Sequence, residues 1–322
     1  MHKPDQLLRV AFVVPSFPVV TETFVINQIA DLLDEGVQVE VFAFKKGPRD
    51  FISSRYEAHR MEKLTHYVGA PSLFRRVLRR IPKLLKLLRL NPVAVIRLLN
   101  AAKYGKQAVS LRLIDFVEPF AGTKFDVVHC HFGDAANSFL IIKDILGIKT
   151  PMVTTFYGSD VSRLVLKSAP DVYDRLQKEC DLFFVMSEDM KRRVQALGFP
   201  KEKIVVNPAS NDVSSYLFSE RRCAVEEPVE IVSVGRFVEK KGFDDLLRAL
   251  AKAREMTSRS FRCSIIGSGH LENELRALAT SLELDGMVHF MGYMKNEDVD
   301  AYLTRMHIMV QPSKTASDGD ME

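Results

Sequence analysis

A glycine-bounded turn that carries cations is the clearest chemical feature of this 322-residue chain. Arg236 and Lys241 lie between Gly235 and Gly242, after the apolar run Glu230 to Val234 and before a helical pattern that begins at Gly242. A helix N-terminus presents unpaired backbone N–H groups, so such a turn suits an anion. Arg adds a forked contact and Lys a point charge. Negative charge growing on a leaving diphosphate would be stabilised by cations fixed there. The same residues would also make an ordinary solvated basic turn. Gly267 and Gly269 follow the next strand-like run, and Phe290-Met291-Gly292-Tyr293 closes another. A single Gly-x-Gly is weak evidence for a nucleotide site.

The first two-thirds of the chain offers different chemistry. Phe17-Pro18-Val19-Val20-Thr21-Glu22-Thr23-Phe24 joins a strand-like to a helix-like run. Thr21 suits an N-cap there, and a functional reading puts Thr21 and Glu22 at a cleft. His129 and His131 alternate with Cys130 at the end of an apolar run, which sends both histidines to one face. Two histidines without a third ligand do not predict a metal site. Tyr157-Gly158-Ser159-Asp160 follows the next strand, and Asp160 is a candidate either for the cleft or for the cap of the helix that follows.

These residues must be positioned by an alternation of strands and helices. Arg9 to Val14 reads as a strand, Thr21 to Leu33 as a helix and Val37 to Phe44 as a strand, a βαβ unit that predicts a parallel sheet. Strands recur at Val127 to Cys130, Met152 to Phe156, Leu182 to Met186 and Ile204 to Val206. A second series follows, with strands at Glu230 to Val234, Arg262 to Ile266, Val288 to Met291 and His307 to Gln311. The fold class is therefore α/β, with two doubly wound, Rossmann-like domains: residues 1–208, a polar hinge at 209–228, and a second domain at 229–322. That domain is short, and its last strand leads into a loop with no covering helix, so it is expected to be incomplete and to expose apolar surface.

Composition sets the remaining bounds. Hydrophobic residues make up 47% and charged residues 27% of the chain, as in ordinary globular protein. No apolar run approaches the ~20 residues that span a bilayer. Val10 to Val14 is too short for a signal peptide. Cys130, Cys180, Cys223 and Cys263 have no metal-ligand spacing, and reduced thiols in a cytoplasmic protein are expected. Between Arg75 and Arg112 lie eleven basic residues and no acidic one, on a chain of net charge +4. Leu84, Leu85, Leu87, Leu88 and Leu90 are interleaved with Lys83, Lys86 and Arg89. Residues 74–112 are thus expected to meet an anionic membrane surface peripherally. A solvated basic face is the competing reading. No nucleic acid is expected, since aromatics are sparse there and no nucleic-acid motif is present.

In order and spacing, Val232 to Gly242, Ile266 to Gly269, Phe290 to Tyr293 and the closing Asp318-Gly319-Asp320-Met321-Glu322 resemble the donor-binding half of retaining glycosyltransferases of the GT-B fold, family 4. Thr21-Glu22-Thr23-Phe24 resembles a Ser-Glu-Thr-Phe segment of members that build exopolysaccharide and colanic-acid-type repeat units. Tyr157 to Asp160 resembles the family's His-Gly-x-Asp, with Tyr157 where histidine is usual. A tyrosine keeps a hydroxyl but cannot be cationic.

The resemblance implies hexose transfer from a nucleotide sugar to a saccharide acceptor, lipid-linked or oligosaccharide, without metal or other cofactor, at the inner face of the cytoplasmic membrane. It implies Tyr157, Asp160 and Glu322 at the reaction centre. Arg236, Lys241, Gly267, Gly269 and Tyr293 would hold the donor, and Thr21, Glu22 and His131 would face the cleft. Glu322 corresponds to the first glutamate of a Glu-x7-Glu motif, whose second would fall beyond the last residue. A non-catalytic binding remnant and a GT-B sugar-nucleotide epimerase are the alternatives.

Overall fold

A computed structural model describes residues 7–47, 53–68, 76–209 and 220–321, with the side chains of 76–79, 296 and 297 left out. Glu322 and residues 210–219 of the expected hinge lie outside the described residues. The chain divides into two compact units. One comprises Met1–Val161 and Lys167–Asn211; the other comprises Asp212–Glu322 with the short segment Ser162–Leu166.

The first unit holds seven strands: β1 (Arg9–Phe17), β2 (Gln38–Lys46), β3 (Thr65–Tyr67), β4 (Val127–His131), β5 (Met152–Thr155), β6 (Leu182–Val185) and β7 (Ile204–Val206). They form one parallel sheet in the order β3-β2-β1-β4-β5-β6-β7. The chain reverses direction across the sheet between β1 and β4, and clefts of open α/β sheets form at the carboxyl ends of strands at such a point. β1 is buried on both faces, as its run of Val, Ala and Phe requires. Pro15 lies inside it, although proline cannot donate to a ladder. The strand tolerates it because pairing with β4 covers only Val10 to Val13, and beyond Val14 only β2 is alongside. β3 was not foreseen from its Thr-His-Tyr sequence.

The second unit holds β8 (Val229–Val234), β9 (Phe261–Ile266), β10 (Val288–Gly292) and β11 (Ile308–Met309), parallel and ordered β10-β9-β8-β11. This repeats the order β3-β2-β1-β4 of the first sheet. Phe237, Phe243, Leu247 and Ile265 fill the core between the sheet and the helices Phe243–Met256 and Glu272–Ser281. β11 is shorter than expected, and its Ile308 and Met309 are exposed. The loop after it folds back onto the turn that follows β8. The Lys314 amide donates to the Lys240 carbonyl at 2.8 Å, and its ammonium meets Asp244 and Asp245. Ser317 donates to both oxygens of Glu239 at 2.8 Å.

The basic segment differs from the expectation. Its helices Arg76–Leu90 and Pro92–Leu98 are amphipathic, but several cations are already satisfied within the unit. Arg80 is buried on Asp115 and the Ser110 carbonyl. Lys83 bridges Asp115 and Glu118, Lys86 meets Glu118, and Lys103 meets Asp144. The eleven charges counted along the sequence overstate the field at the surface, because acidic residues from neighbouring segments fold in beside them.

Candidate active site

In the first unit the polar residues converge where β4 and β5 end. His131 of β4 is in register with Thr155 of β5, which brings the two segments after those strands side by side. The rings of His129 and His131 stack at 4.3 Å, with Phe12 of β1 at 4.9 Å from His131. His129 Nε2 is 2.6 Å from Thr155 Oγ1, and His131 Nδ1 is 2.7 Å from the Tyr157 hydroxyl. Both imidazoles are buried, and His131 Nε2 has no hydrogen-bond partner. Burial lowers the His129 pKa to about 4, and burial together with the neighbouring His129 holds His131 well below the usual imidazole range. Both are neutral at pH 7. The expectation that His131 faces a cleft is corrected: it supports Tyr157 from beneath.

Tyr157 and Thr155 are the members of this cluster that reach open space. With Phe24, Gln28, Met186, Asn207, Pro208 and Ala209 they line a recess of about 110 Å³. The Tyr157 ring packs 4.4 Å from that of Phe24. Burial, and the carboxylates of Asp160 and Glu22, hold its hydroxyl far above the usual tyrosine range. Glu22 itself does not line the recess. Thr21 is exposed and does not line it. Nor does Thr21 cap the helix, which begins at Thr23 with Glu22 at the N-cap and no side-chain cap bond. Gln28 and Asn207 were missed by sequence reasoning, although Asn207 directly follows β7, where a cleft rule for strand ends points.

Asp160 does not face the recess. Its Oδ1 accepts from the amides of Tyr157 and Gly158 at 3.1 and 2.9 Å, and its Oδ2 from Gly133 at 3.2 Å. Gly133 is the first residue of the helix Gly133–Leu146, so Asp160 caps a helix 27 residues back in the chain rather than the one after it. Burial raises its pKa to about 6, against the pull of those amides. The cap allows no side chain at Gly133, because a Cβ there would collide with the Tyr173 hydroxyl, which itself donates to the Asp160 carbonyl at 2.7 Å. Asp160 is thus a positioning residue: it fixes the turn that aims Tyr157.

The second unit builds the cationic turn. After β8 come Gly235 and an exposed Arg236, then a tight turn Glu239–Lys241 and Gly242 at φ +66° before the helix Phe243–Met256. No carboxylate pairs with Arg236 among the described residues. Lys241 is half-buried, with its stem against Gly235. Lys240 is turned inward onto Asp320 at 3.2 Å and the Met321 carbonyl at 3.3 Å. Gly267 and Gly269 serve this turn by their lack of side chains. A Cβ on Gly267 would strike the Gly235 carbonyl, and one on Gly269 would lie 2.5 to 2.8 Å from the Phe237 backbone. The Phe237 amide donates to the Ser268 carbonyl at 2.9 Å, which stitches the two loops together. Tyr293 follows Gly292, whose carbonyl accepts from the Gly267 amide at 2.8 Å. The structure therefore brings Arg236, Lys241, Gly267, Gly269 and Tyr293 into one loop cluster at the carboxyl end of the sheet.

Comparison with known proteins gives this arrangement a class. The family model for Glycosyltransferase Family 4 matches residues 21–214, and that for Glycosyl transferases group 1 matches residues 219–319. A similar solved structure is that of Anabaena HepE with UDP and glucose, at a TM-score of 0.61 over 95% of this chain and 74% of that one. Its identity is 16%, so it speaks to the fold alone: two Rossmann-like units of the GT-B type. The chain belongs to Glycosyltransferase Family 4. WcaL of Escherichia coli K12, assigned to colanic acid biosynthesis, is 31% identical over 319 residues, covering 98% of this chain and 78% of that protein. AmsK of Erwinia amylovora, an amylovoran biosynthesis glycosyltransferase, is 29% identical over 327 residues with the same coverage.

Proposed function

We propose that this chain transfers a hexose from a nucleotide sugar to a saccharide acceptor during the building of a cell-surface polysaccharide, with retention at the anomeric carbon. Family membership supports sugar transfer, and the names of WcaL and AmsK support the polysaccharide context. The UDP and glucose bound by HepE support a nucleotide-sugar donor. The acceptor in this reading is lipid-linked or an oligosaccharide, and the protein works at the cytoplasmic face of the membrane.

The observation that carries the proposal is the exposed guanidinium of Arg236, on a turn pinned by Gly267 and Gly269 at the start of a helix. In the proposed reaction the bond between the anomeric carbon and the donor phosphate breaks while the acceptor hydroxyl attacks from the same face. The proton of that hydroxyl passes to the departing phosphate oxygen, so no protein nucleophile is needed. The diphosphate gains charge as it leaves. Arg236, the ammonium of Lys241 and the backbone amides of the turn lower the barrier by meeting that charge. The neutral Tyr157 and its recess would bind hydroxyls, where a carboxylate or cation at full charge would cost desolvation. Glu322, beyond the described residues, is proposed to hold donor hydroxyls.

Calorimetric titration with UDP, GDP, ADP and their sugars tests the reading. Binding that falls at least tenfold in Arg236→Ala supports it and names the base. If no nucleoside diphosphate binds, the donor site is misassigned.

A further inference from the structure

His129 and His131 lie stacked beside Tyr157, and the proposed transfer gives neither of them a task. They stand at the two ends of a row of polar atoms. His129 Nε2 is 2.6 Å from Thr155 Oγ1. The Thr155 hydroxyl is in hydrogen-bond reach of the Tyr157 hydroxyl, which lies 2.7 Å from His131 Nδ1. Thr155 and Tyr157 line the recess, and the histidines do not.

Such a row can run its protons in two directions, because a neutral histidine carries one N–H and one bare nitrogen. In the first, His129 donates to Thr155, Thr155 to Tyr157 and Tyr157 to His131 Nδ1. The proton of His131 then sits on Nε2, and the Tyr157 proton is committed inward. In the second, His131 Nδ1–H donates to Tyr157, Tyr157 to Thr155 and Thr155 to His129 Nε2. His131 Nε2 is then a bare lone pair.

His131 Nε2 decides between them. The His131 side chain is fully buried, and this atom has no hydrogen-bond partner. Folded proteins leave buried acceptors unpaired more often than buried N–H groups, and an unpaired N–H costs its desolvation. The bare nitrogen therefore belongs at Nε2 and the proton at Nδ1. Burial keeps both rings neutral at pH 7, so each has one proton to place.

We propose that His131 is a positioning residue acting through Tyr157: its Nδ1–H holds the Tyr157 oxygen and leaves the Tyr157 proton free to turn from Thr155 to a saccharide oxygen in the recess. Tyr157 is then a hydrogen-bond donor to the sugar. The opposite order would lock its proton on His131 and leave only lone pairs to offer. The inference rests on reading the recess as a saccharide site.

NMR of the full chain with isotope-labelled histidine, without donor or acceptor, reads the tautomer directly. A protonated, pyrrole-type Nδ1 and a bare, pyridine-type Nε2 are expected for His131. Methyl glucoside and methyl galactoside, followed by saturation transfer, probe the recess. Tyr157→Phe and His131→Leu should each weaken their binding about three- to tenfold, as for one hydrogen bond. The double variant should be no weaker than either alone, which is the sign of one residue acting through the other. His131→Asn, whose amide can place an N–H where Nδ1 stood, should recover most of the loss. A proton on His131 Nε2 overturns the proposal. So do losses that add in the double variant, which would mean packing alone, and a recess that binds neither hexoside. The nucleotide titration at Arg236 is independent of all three, so the donor site can stand while this inference falls.

Discussion

The turn after β1 and the turn after β8 occupy the same place in their sheets, since each strand is flanked in the order 3-2-1-4. Their chemistry is opposite. The first runs through Pro18, Thr21 and Glu22, contains no basic residue, and enters a helix with a carboxylate at its N-cap. The second is bounded by Gly235 and Gly242, displays Arg236 and Lys241, and is approached so closely by the β9 loop that Gly267 and Gly269 admit no side chain. The same topology thus offers a helix start twice, and only one of the two displays cations. Fold supplies the position and the loop residues supply the charge.

The contrast breaks severely at Gly269. In Gly269→Ala the added methyl meets backbone that cannot rotate away, so unfolding of the second unit is expected to ease by about 3 kcal/mol or more. Urea denaturation measures this, and nucleotide binding should be lost with it.

The buried cluster of the first unit is sharpened by pH. Burial lowers the His129 pKa to about 4 when folded, against about 6.5 for an ordinary imidazole, so the unfolded chain binds the proton more tightly and stability rises between about pH 4 and 6.5. Asp160 titrates near 6 when folded against 3.8, so its contribution to stability falls between about pH 4 and 6. Each is worth about 3 kcal/mol and they oppose each other. Relative to the parent protein, stability measured from pH 4 to 7 should therefore tilt upward with pH in Asp160→Asn and downward in His129→Gln.

For Arg236→Ala, a loss of nucleotide affinity of about ten- to hundredfold is expected with an unchanged melting temperature, as for one charge-assisted contact. Unchanged affinity would mean that the two turns do not differ in the way proposed. The smallest effect is expected from Tyr157→Phe. It leaves His131 Nδ1 without its partner and should cost about 1 kcal/mol of stability. Transfer measured on the same variant should fall by more than that loss explains if the hydroxyl meets substrate.

Much of this was legible before the fold. The periodic apolar runs placed ten of the eleven strands among the described residues, and the glycine-bounded cations pointed to the turn after β8. What the sequence hid was direction. His129 and His131 could be put on one face, but their depth depended on Phe12 and Phe184 packing across them from other strands. Asp160 was read as a residue of its own neighbourhood, yet it caps a helix whose first residue is Gly133. The basic run looked like an uncompensated field because Asp115, Glu118 and Asp144 lie later in the chain. Long-range partners were the common reason. β3, with three residues and no apolar run, had no periodic signal at all.

The order of the first sheet also sets a timetable for synthesis. β1 lies near the middle of the sheet, held by β2 on one side and by β4 on the other, with the Arg9 amide donating to Asp126 at 2.8 Å. β2 ends at Lys46 and β4 at His131. A ribosome adding about 5–20 residues per second needs on the order of ten seconds to travel between them. For that interval β1 has β2 on one side only, and its other edge, with Phe12 and Val13, is open and apolar until β4 is made. The nascent chain is therefore most vulnerable to mispairing at β1, and stays so until residue 131 emerges.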